Sequence, residues 1–290
     1  MIDEVTAPPA VKPPSGRGRW RKWWLAAFAV IVLVAGGFAV GQRLEQGDPA
    51  PSSAVTFAPA PPPSSAAPPI AGPTKASPSP GKPAVSTTLL RLPGAVPAKG
   101  SGQFTYGSRR SVVYGGKGQL RRFRVAVENG SNEDPAEFAD QVSAILGDPR
   151  SWAGGGQFRL QMVRGTDPAD FTVYLATRDT AGRMCQAGGT NIRVGGRPYT
   201  SCRAAGKAII NLDRWRLSAP TYLSARVSLL IYRQYVINHE VGHELGHRHQ
   251  GCPKRGGPAP VMVQQTLTLR GCQAYAWPRR NGKMLTGPSL

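Results

Sequence analysis

All four histidines of this 290-residue chain lie between residues 239 and 249, in the run INHEVGHELGHRHQGCP that starts at Ile237. Imidazole is a metal ligand and a proton carrier near neutral pH, so this concentration points first to a metal ion. His239 and His243 are four residues apart. On a helix that spacing stacks them on one face, a turn apart, where they can grip one ion. Glu240 follows the first of them, beside the water that such an ion would activate, which is the place for a general base. His247 continues the four-residue spacing, but on an unbroken helix it would sit about 12 Å along the axis from His239. Metal–nitrogen bonds of about 2.0–2.1 Å cannot bring three such rings to one ion. The helix must break first, and Gly246 can take the left-handed conformation that ends it. His249 can then swing back as the third ligand. The other common solution takes a carboxylate from further along, and no Asp or Glu follows Glu244. Glu244 itself reads as a solvated or supporting group.

The His239-Glu240-x-x-His243 unit is the zinc peptidase signature, and Gly246 and His249 extend it to H-E-x-x-H-x-x-G-x-x-H. With this composition, a chance match has odds on the order of one in several hundred thousand. The extended pattern resembles that of the metzincin peptidases. The resemblance implies Zn²⁺ on His239, His243 and His249, with Glu240 as the catalytic base. It also implies a methionine-containing turn beneath the metal, for which Met262 in Pro260-Val261-Met262 is the candidate. The alternative is that Met262 is an ordinary core residue. Several metzincins carry a tyrosine two residues after that methionine; here Gln264 stands there, so no oxyanion-stabilising side chain is assigned. More widely, YRQYVINHEVGHELGH, a short cysteine-containing loop and PVM resemble a family of actinobacterial membrane-anchored proteins of unknown function. That family is zincin-like, and the resemblance covers about Leu89–Leu290.

Elements must exist to hold these side chains. RRFRVAVE places Phe123, Val125 and Val127 on one face of a strand, with Arg121, Arg122 and Arg124 on the solvent side. Asp134-Pro135 reads as an N-cap and first helical residue; Phe138, Val142, Ile145 and Leu146 follow at helical spacing, and Gly147 stops the helix. Further strands are expected at Gln157–Val163, Phe171–Thr177 and Lys207–Leu212. A long helix is expected from about Tyr222 to Leu245, with an irregular tail from Gly251. This order predicts an α+β fold, and the resemblance makes it a zincin-like ectodomain with a mixed twisted sheet beside the site helix.

The first third of the chain reads differently. Residues 23–42 carry no charge and would span about 30 Å as a helix, the thickness of a bilayer core. The basic residues Arg17, Arg19, Arg21 and Lys22 precede them, which predicts a cytoplasmic tail (1–22) and an outward-facing remainder. A cleaved signal peptide is the alternative, with a shorter apolar run than this one. Fourteen of the 28 prolines fall between Pro49 and Pro97, so residues 43–88 read as a disordered Pro/Ala/Ser linker and residues 89–290 as the extracytoplasmic domain. In such a compartment, pairing Cys185 with Cys202 and Cys252 with Cys272 is the simplest of three connectivities. A cysteine metal site is the rival, but there is no C-x₂-C.

Residues 89–290 hold 28 Lys and Arg against 12 Asp and Glu, a formal +16. This excludes an acidic solvating protein and favours anionic counterparts such as cell-wall polymers or lipid headgroups; no nucleic-acid motif accompanies it. The expectation is a single-pass membrane zinc endopeptidase acting on peptide or protein substrates through a zinc-activated water. Two rivals are a catalytically silent metal-binding surface module and a hydrolase of cell-wall peptide amides.

Overall fold

The computed structural model describes residues 88–290. The expected tail, membrane span and linker up to residue 87 lie outside the described residues. Among the described residues, no helix is long and apolar enough to cross a membrane.

Strands β1 (Phe104–Tyr106) and β2 (Gln119–Glu128) precede helix α1 (Pro135–Gly147), a 3-10 turn at Trp152–Gly155, and strands β3 (Phe158–Met162) and β4 (Phe171–Ala176). Helix α2 (Arg178–Ala187), a small hairpin of β5 (Arg193–Val194) and β6 (Arg197–Pro198), and strands β7 (Cys202–Ala204) and β8 (Lys207–Asn211) come next. Helices α3 (Leu212–Leu217), α4 (Pro220–Ser224) and α5 (Leu229–Glu244) lead into an irregular segment that holds only the hairpin β9 (Arg279–Arg280) and β10 (Lys283–Met284).

The main sheet runs β1–β2–β4–β8–β7, with β3 also paired to β2. β2, β3, β4 and β8 are mutually parallel, while β1 and β7 run antiparallel to their neighbours. The fold is therefore α+β with a mixed sheet. The alternation in β2 works as its sequence implies: Phe123, Val125 and Val127 enter the main core with Leu160, Val173, Leu175 and Ile210. Of the three arginines, Arg122 is exposed and Arg121 and Arg124 are half-buried. β2 is central enough that its far face is covered too. There the buried Glu128 carboxylate accepts from Gly102 N, Thr177 N, and the Thr177 and Thr180 hydroxyls at 2.7–2.9 Å. It thereby tethers the start of α2, which has no side-chain cap of its own.

α1 begins as expected, with the Asp134 carboxylate accepting from Ala136 N and Glu137 N, and it buries Phe138, Val142, Ile145 and Leu146. α5 has no polar stripe; nearly every residue from Tyr235 to Gly242 is buried, so the helix runs through the core. Arg233 on it donates to the Trp215 carbonyl at 2.9 Å and to the Gln141 side chain at 2.8 Å.

The expected single helix from Tyr222 to Leu245 is two helices. α4 ends with Arg226 at φ 53° and Val227 N donating back to Tyr222 O at 2.9 Å, a left-handed C-terminal closure. Leu229 N then donates to Leu89 O at 2.7 Å, tying the start of α5 to the beginning of the domain. Glycine is the usual sequence marker of such a stop, and here an arginine occupies the place. Helices α2 and α3 were not expected, and the strands foreseen at 157–163, 171–177 and 207–212 are each shorter by one or two residues.

Both disulfides are sequential. Cys185–Cys202 joins the end of α2 to β7, and Cys252–Cys272 closes a loop of the irregular segment. Cys272 packs with Ala259 and Val263 in a small core of its own, directly behind the Pro260–Val263 turn.

Candidate metal centre

α5 gives out where the histidine spacing requires it to. Leu245 N still donates to Val241 O at 3.0 Å, but Gly246 sits at φ 92° and His247 N reaches back to Gly242 O at 2.9 Å. An added Cβ at Gly246 would meet nothing, so its backbone angle, rather than crowding, is what calls for glycine. The reversal carries His249 back over the helix end. The Nε2 atoms of His243 and His249 lie 3.1 Å apart, and one ring nitrogen from each of His239, His243 and His249 falls within 4.8 Å of the others. Tetrahedral coordination at about 2.05 Å would need nitrogen separations of roughly 3.3 Å. The three rings could therefore hold a metal ion after small adjustments.

The other ring nitrogens are already engaged. His239 Nδ1 lies 2.8 Å from the Val261 carbonyl, and His243 Nδ1 lies 2.8 Å from the His247 carbonyl. A carbonyl can only accept, so each Nδ1 carries the proton and each Nε2 presents a lone pair toward the centre. Burial pushes the His239 pKa down from 6.5 to about 3. Burial also lowers His243 and His249, with the Arg203 charge adding to the effect at His243 and Arg270 at His249. The rings are neutral at neutral pH, as ligands must be.

His247 does not join them. Its ring stacks on Trp152 at 4.3 Å between centroids, and its backbone carbonyl orients His243. Glu240 lies in the floor beside the ligands, 4% exposed, and burial raises its pKa from 4.5 to about 8. A divalent cation on the three histidines would act in the opposite sense, favouring the carboxylate. Glu244 is not a solvated residue. It is buried and accepts from Arg203 Nε at 2.8 Å and from Gly206 N and Lys207 N, which pins the β7–β8 turn to the end of α5.

Beneath the helix, Pro260–Val263 forms a turn with Val263 N donating to Pro260 O at 3.0 Å. Met262 is buried in it, and its carbonyl accepts from Gln250 N at 3.1 Å. A Cβ at Gly242 would lie 2.6 Å from both Met262 Sδ and Trp152 Cζ2, so the turn and the indole are pressed against the helix backbone between the two ligands. The network extends to residues that the sequence does not mark. Asn238, fully buried, accepts from Ser151 Oγ at 2.7 Å, donates to the Ala276 carbonyl at 3.1 Å, and receives the Trp152 indole N–H on its carbonyl at 2.9 Å. Tyr235 OH donates to Val263 O and accepts from Gln265 N. Tyr275 OH donates to Arg279 O.

Above the histidines lies an open cleft of about 580 Å³. The segment from Thr190 to Arg203, with β5 and the start of β7, forms one wall, and residues 264–267 contribute to the other. The family described as "Protein of unknown function (DUF3152)" matches residues 91–283, and the chain belongs to it. No curated protein and no solved structure matches the chain.

Proposed function

We propose that this member of the family is a membrane-anchored, zinc-dependent endopeptidase with a metzincin-like ectodomain facing outward. The observation that carries the reading is the convergence of three imidazoles, two of them oriented by backbone carbonyls, in the lining of an open cleft with the Glu240 carboxyl beside them. A closed structural site would use a fourth protein ligand. Among the described residues, no further His, Cys, Asp or Glu joins the three, and every cysteine is in a disulfide.

Zinc bound there would supply a Lewis acid that polarises a carbonyl and acidifies water. The chain's own part is orientation and proton handling. His239, His243 and His249 would hold that ion beside Glu240. Glu240 accepts the water proton and returns it to the leaving amine. β7 is an edge strand bordering the cleft, so an extended peptide can lie beside it with its backbone groups paired. The two disulfides suit an oxidising compartment outside the membrane.

One observation favours a silent binding module. The hydroxyls of Tyr235 and Tyr275 are both engaged elsewhere, and Gln264 lines the cleft where several metzincins have tyrosine. The deciding experiment is mass spectrometry of a diverse peptide library after incubation with the zinc-loaded full chain and with its Glu240→Gln variant. Chelator-sensitive cleavage by the parent alone is the expected result. No cleavage by either, with zinc at one per chain, refutes the peptidase and leaves the binding module or a non-protein amide substrate.

A further inference from the structure

The cleft carries a charge pattern that hydrolysis itself does not use. Arg193 and Arg203 stand on the wall built from the 190–203 segment, and Arg248 stands on the floor loop between the last two histidines. Among the lining residues, Glu240 is the one carboxylate, and it belongs to the proposed chemistry. The segment that contributes Gln264, Thr266 and Leu267 to the lining has no acid to offer: residues 251–290 hold six Lys and Arg and no Asp or Glu. Arg270 on the same segment is exposed.

These cations differ in how they are satisfied. Arg203 is paired with Glu244 at 2.8 Å. Arg193 gives one N–H to the Gly196 carbonyl at 2.7 Å and meets no carboxylate. Arg248 is exposed and has no hydrogen-bond or ion-pair partner among the described residues. Uncompensated guanidinium groups flanking a metal centre draw in anions, and their paired N–H groups match carboxylates two at a time.

The same cleft also offers aliphatic surface. Val194 on one wall is 50% exposed and Leu267 on the other is 44% exposed. A phosphate polymer would use neither of them, nor the free edge of β7. A single-stranded nucleic acid would need an exposed aromatic ring for its bases, and the one tyrosine in the lining, Tyr235, is buried.

We infer that the cleft selects acidic peptide segments: carboxylates flanking an aliphatic residue, engaged by Arg193 on the wall and Arg248 on the floor, with Val194 and Leu267 receiving the aliphatic side chain. The inference rests on the peptidase reading for turnover, but its binding step can be measured separately.

The test uses the zinc-loaded full chain with Glu240→Gln, which retains the ligands, and three fluorescent peptides of equal length around one leucine, with Glu, Gln or Lys at the flanking positions. Anisotropy titrations at low salt are expected to show the Glu peptide binding about tenfold or more tighter than the Lys peptide, a gap that shrinks as salt rises. Arg193→Gln with Arg248→Gln should remove most of the gap, and Arg193→Glu with Arg248→Glu should reverse it. Zinc content and unfolding temperature of these variants report whether the fold is intact. Equal affinity for the three peptides, or a gap that survives the charge reversal in folded protein, overturns the inference. So does displacement of the Glu peptide by a glycerol-phosphate polymer at a lower concentration than by the unlabelled peptide itself. Failure of the two readings can be told apart. Cleavage without charge preference sinks the acidic-peptide assignment and spares the peptidase; tight, arginine-dependent binding without cleavage by the parent chain does the reverse.

Discussion

Gly242→Ala is the sharpest perturbation of the centre, because it alters no ligand and no charge. The added methyl would lie 2.6 Å from Met262 Sδ and 2.6 Å from Trp152 Cζ2, well inside contact distance, so at least one must retreat. Both are buried, so neither has open space to retreat into. Trp152 is tied by its indole N–H to the Asn238 carbonyl and stacked on His247, and Met262 shares its turn with the Val261 carbonyl that orients His239. Overpacking of this kind costs about 1–3 kcal/mol. For a domain of this size that lowers the unfolding temperature by about 2–12 °C. A displaced Val261 carbonyl also frees the His239 ring, and loss of an outer-shell partner typically weakens metal binding 10- to 100-fold. That removes a further ~1.4–2.7 kcal/mol of zinc-dependent stabilisation at a fixed zinc excess. Chelator competition for zinc, with thermal unfolding in zinc and in chelator, measures the two effects separately. Gly116→Ala, where an added Cβ meets nothing, is the control. Wild-type zinc affinity and unfolding temperature in Gly242→Ala would refute the idea that the turn and the indole brace the ligands.

Other outcomes follow from the same geometry. His249→Ala should weaken zinc binding by more than the roughly 100-fold ceiling of outer-shell changes, whereas His247→Ala should stay within it; equal effects in a zinc titration would contradict the ligand set. Two groups, His239 and Glu240, should make the zinc-free chain most stable between about pH 4.5 and 6.5, where their effects oppose each other, and less stable on either side of that window. His239, with its pKa lowered from 6.5 to about 3, refuses a proton that the unfolded chain takes up, so stability falls as pH drops from 6.5 toward 3. Glu240, raised from 4.5 to about 8, holds a proton that the unfolded chain releases, so stability falls as pH climbs through that interval. Glu240→Gln should therefore stabilise the zinc-free chain at pH 8, by something on the order of 2–4 kcal/mol, and should leave it unchanged near pH 4, as read by denaturant titration. Opening Cys252–Cys272 with paired serines should cost about 3 kcal/mol and also lower zinc affinity, because that loop carries the Val261 carbonyl. The same change at Cys185–Cys202 should cost similar stability with less effect on zinc.

The centre was legible in the sequence because coordination chemistry restricts both residue type and spacing. His239, His243 and Gly246 could be placed from helix geometry alone, and His249 by the absence of later acids. α1 and the strands of alternating or continuous apolar residues could be read for similar reasons: their partners are generic, and only burial matters. What escaped depends on specific distant partners. The stop at Arg226 has no glycine to mark it. Glu244 reads as a solvated or a supporting group, and only the β7–β8 turn, which brings Arg203 and two backbone N–H groups to it, decides for the second. Asn238 and Trp152 are 86 residues apart, and neither type has a spacing that announces their contact. Glu128 is unremarkable as the end of a strand; its role comes from Thr177 and Thr180 across the sheet.

The bond from His239 to the Val261 carbonyl also sets a sequence of events in time. A chain growing from its amino terminus presents His239, Glu240, His243 and His249 before Val261 and Met262 exist. Until the later turn arrives, the Val261 carbonyl is not there to fix which nitrogen of His239 bears the proton, and the underside of α5 at Gly242 has Trp152 against it but not Met262. The Cys252–Cys272 bond, which needs a residue later still, then holds that turn in place. A three-histidine site built this way is braced only once nearly the whole domain is present to close around its own helix.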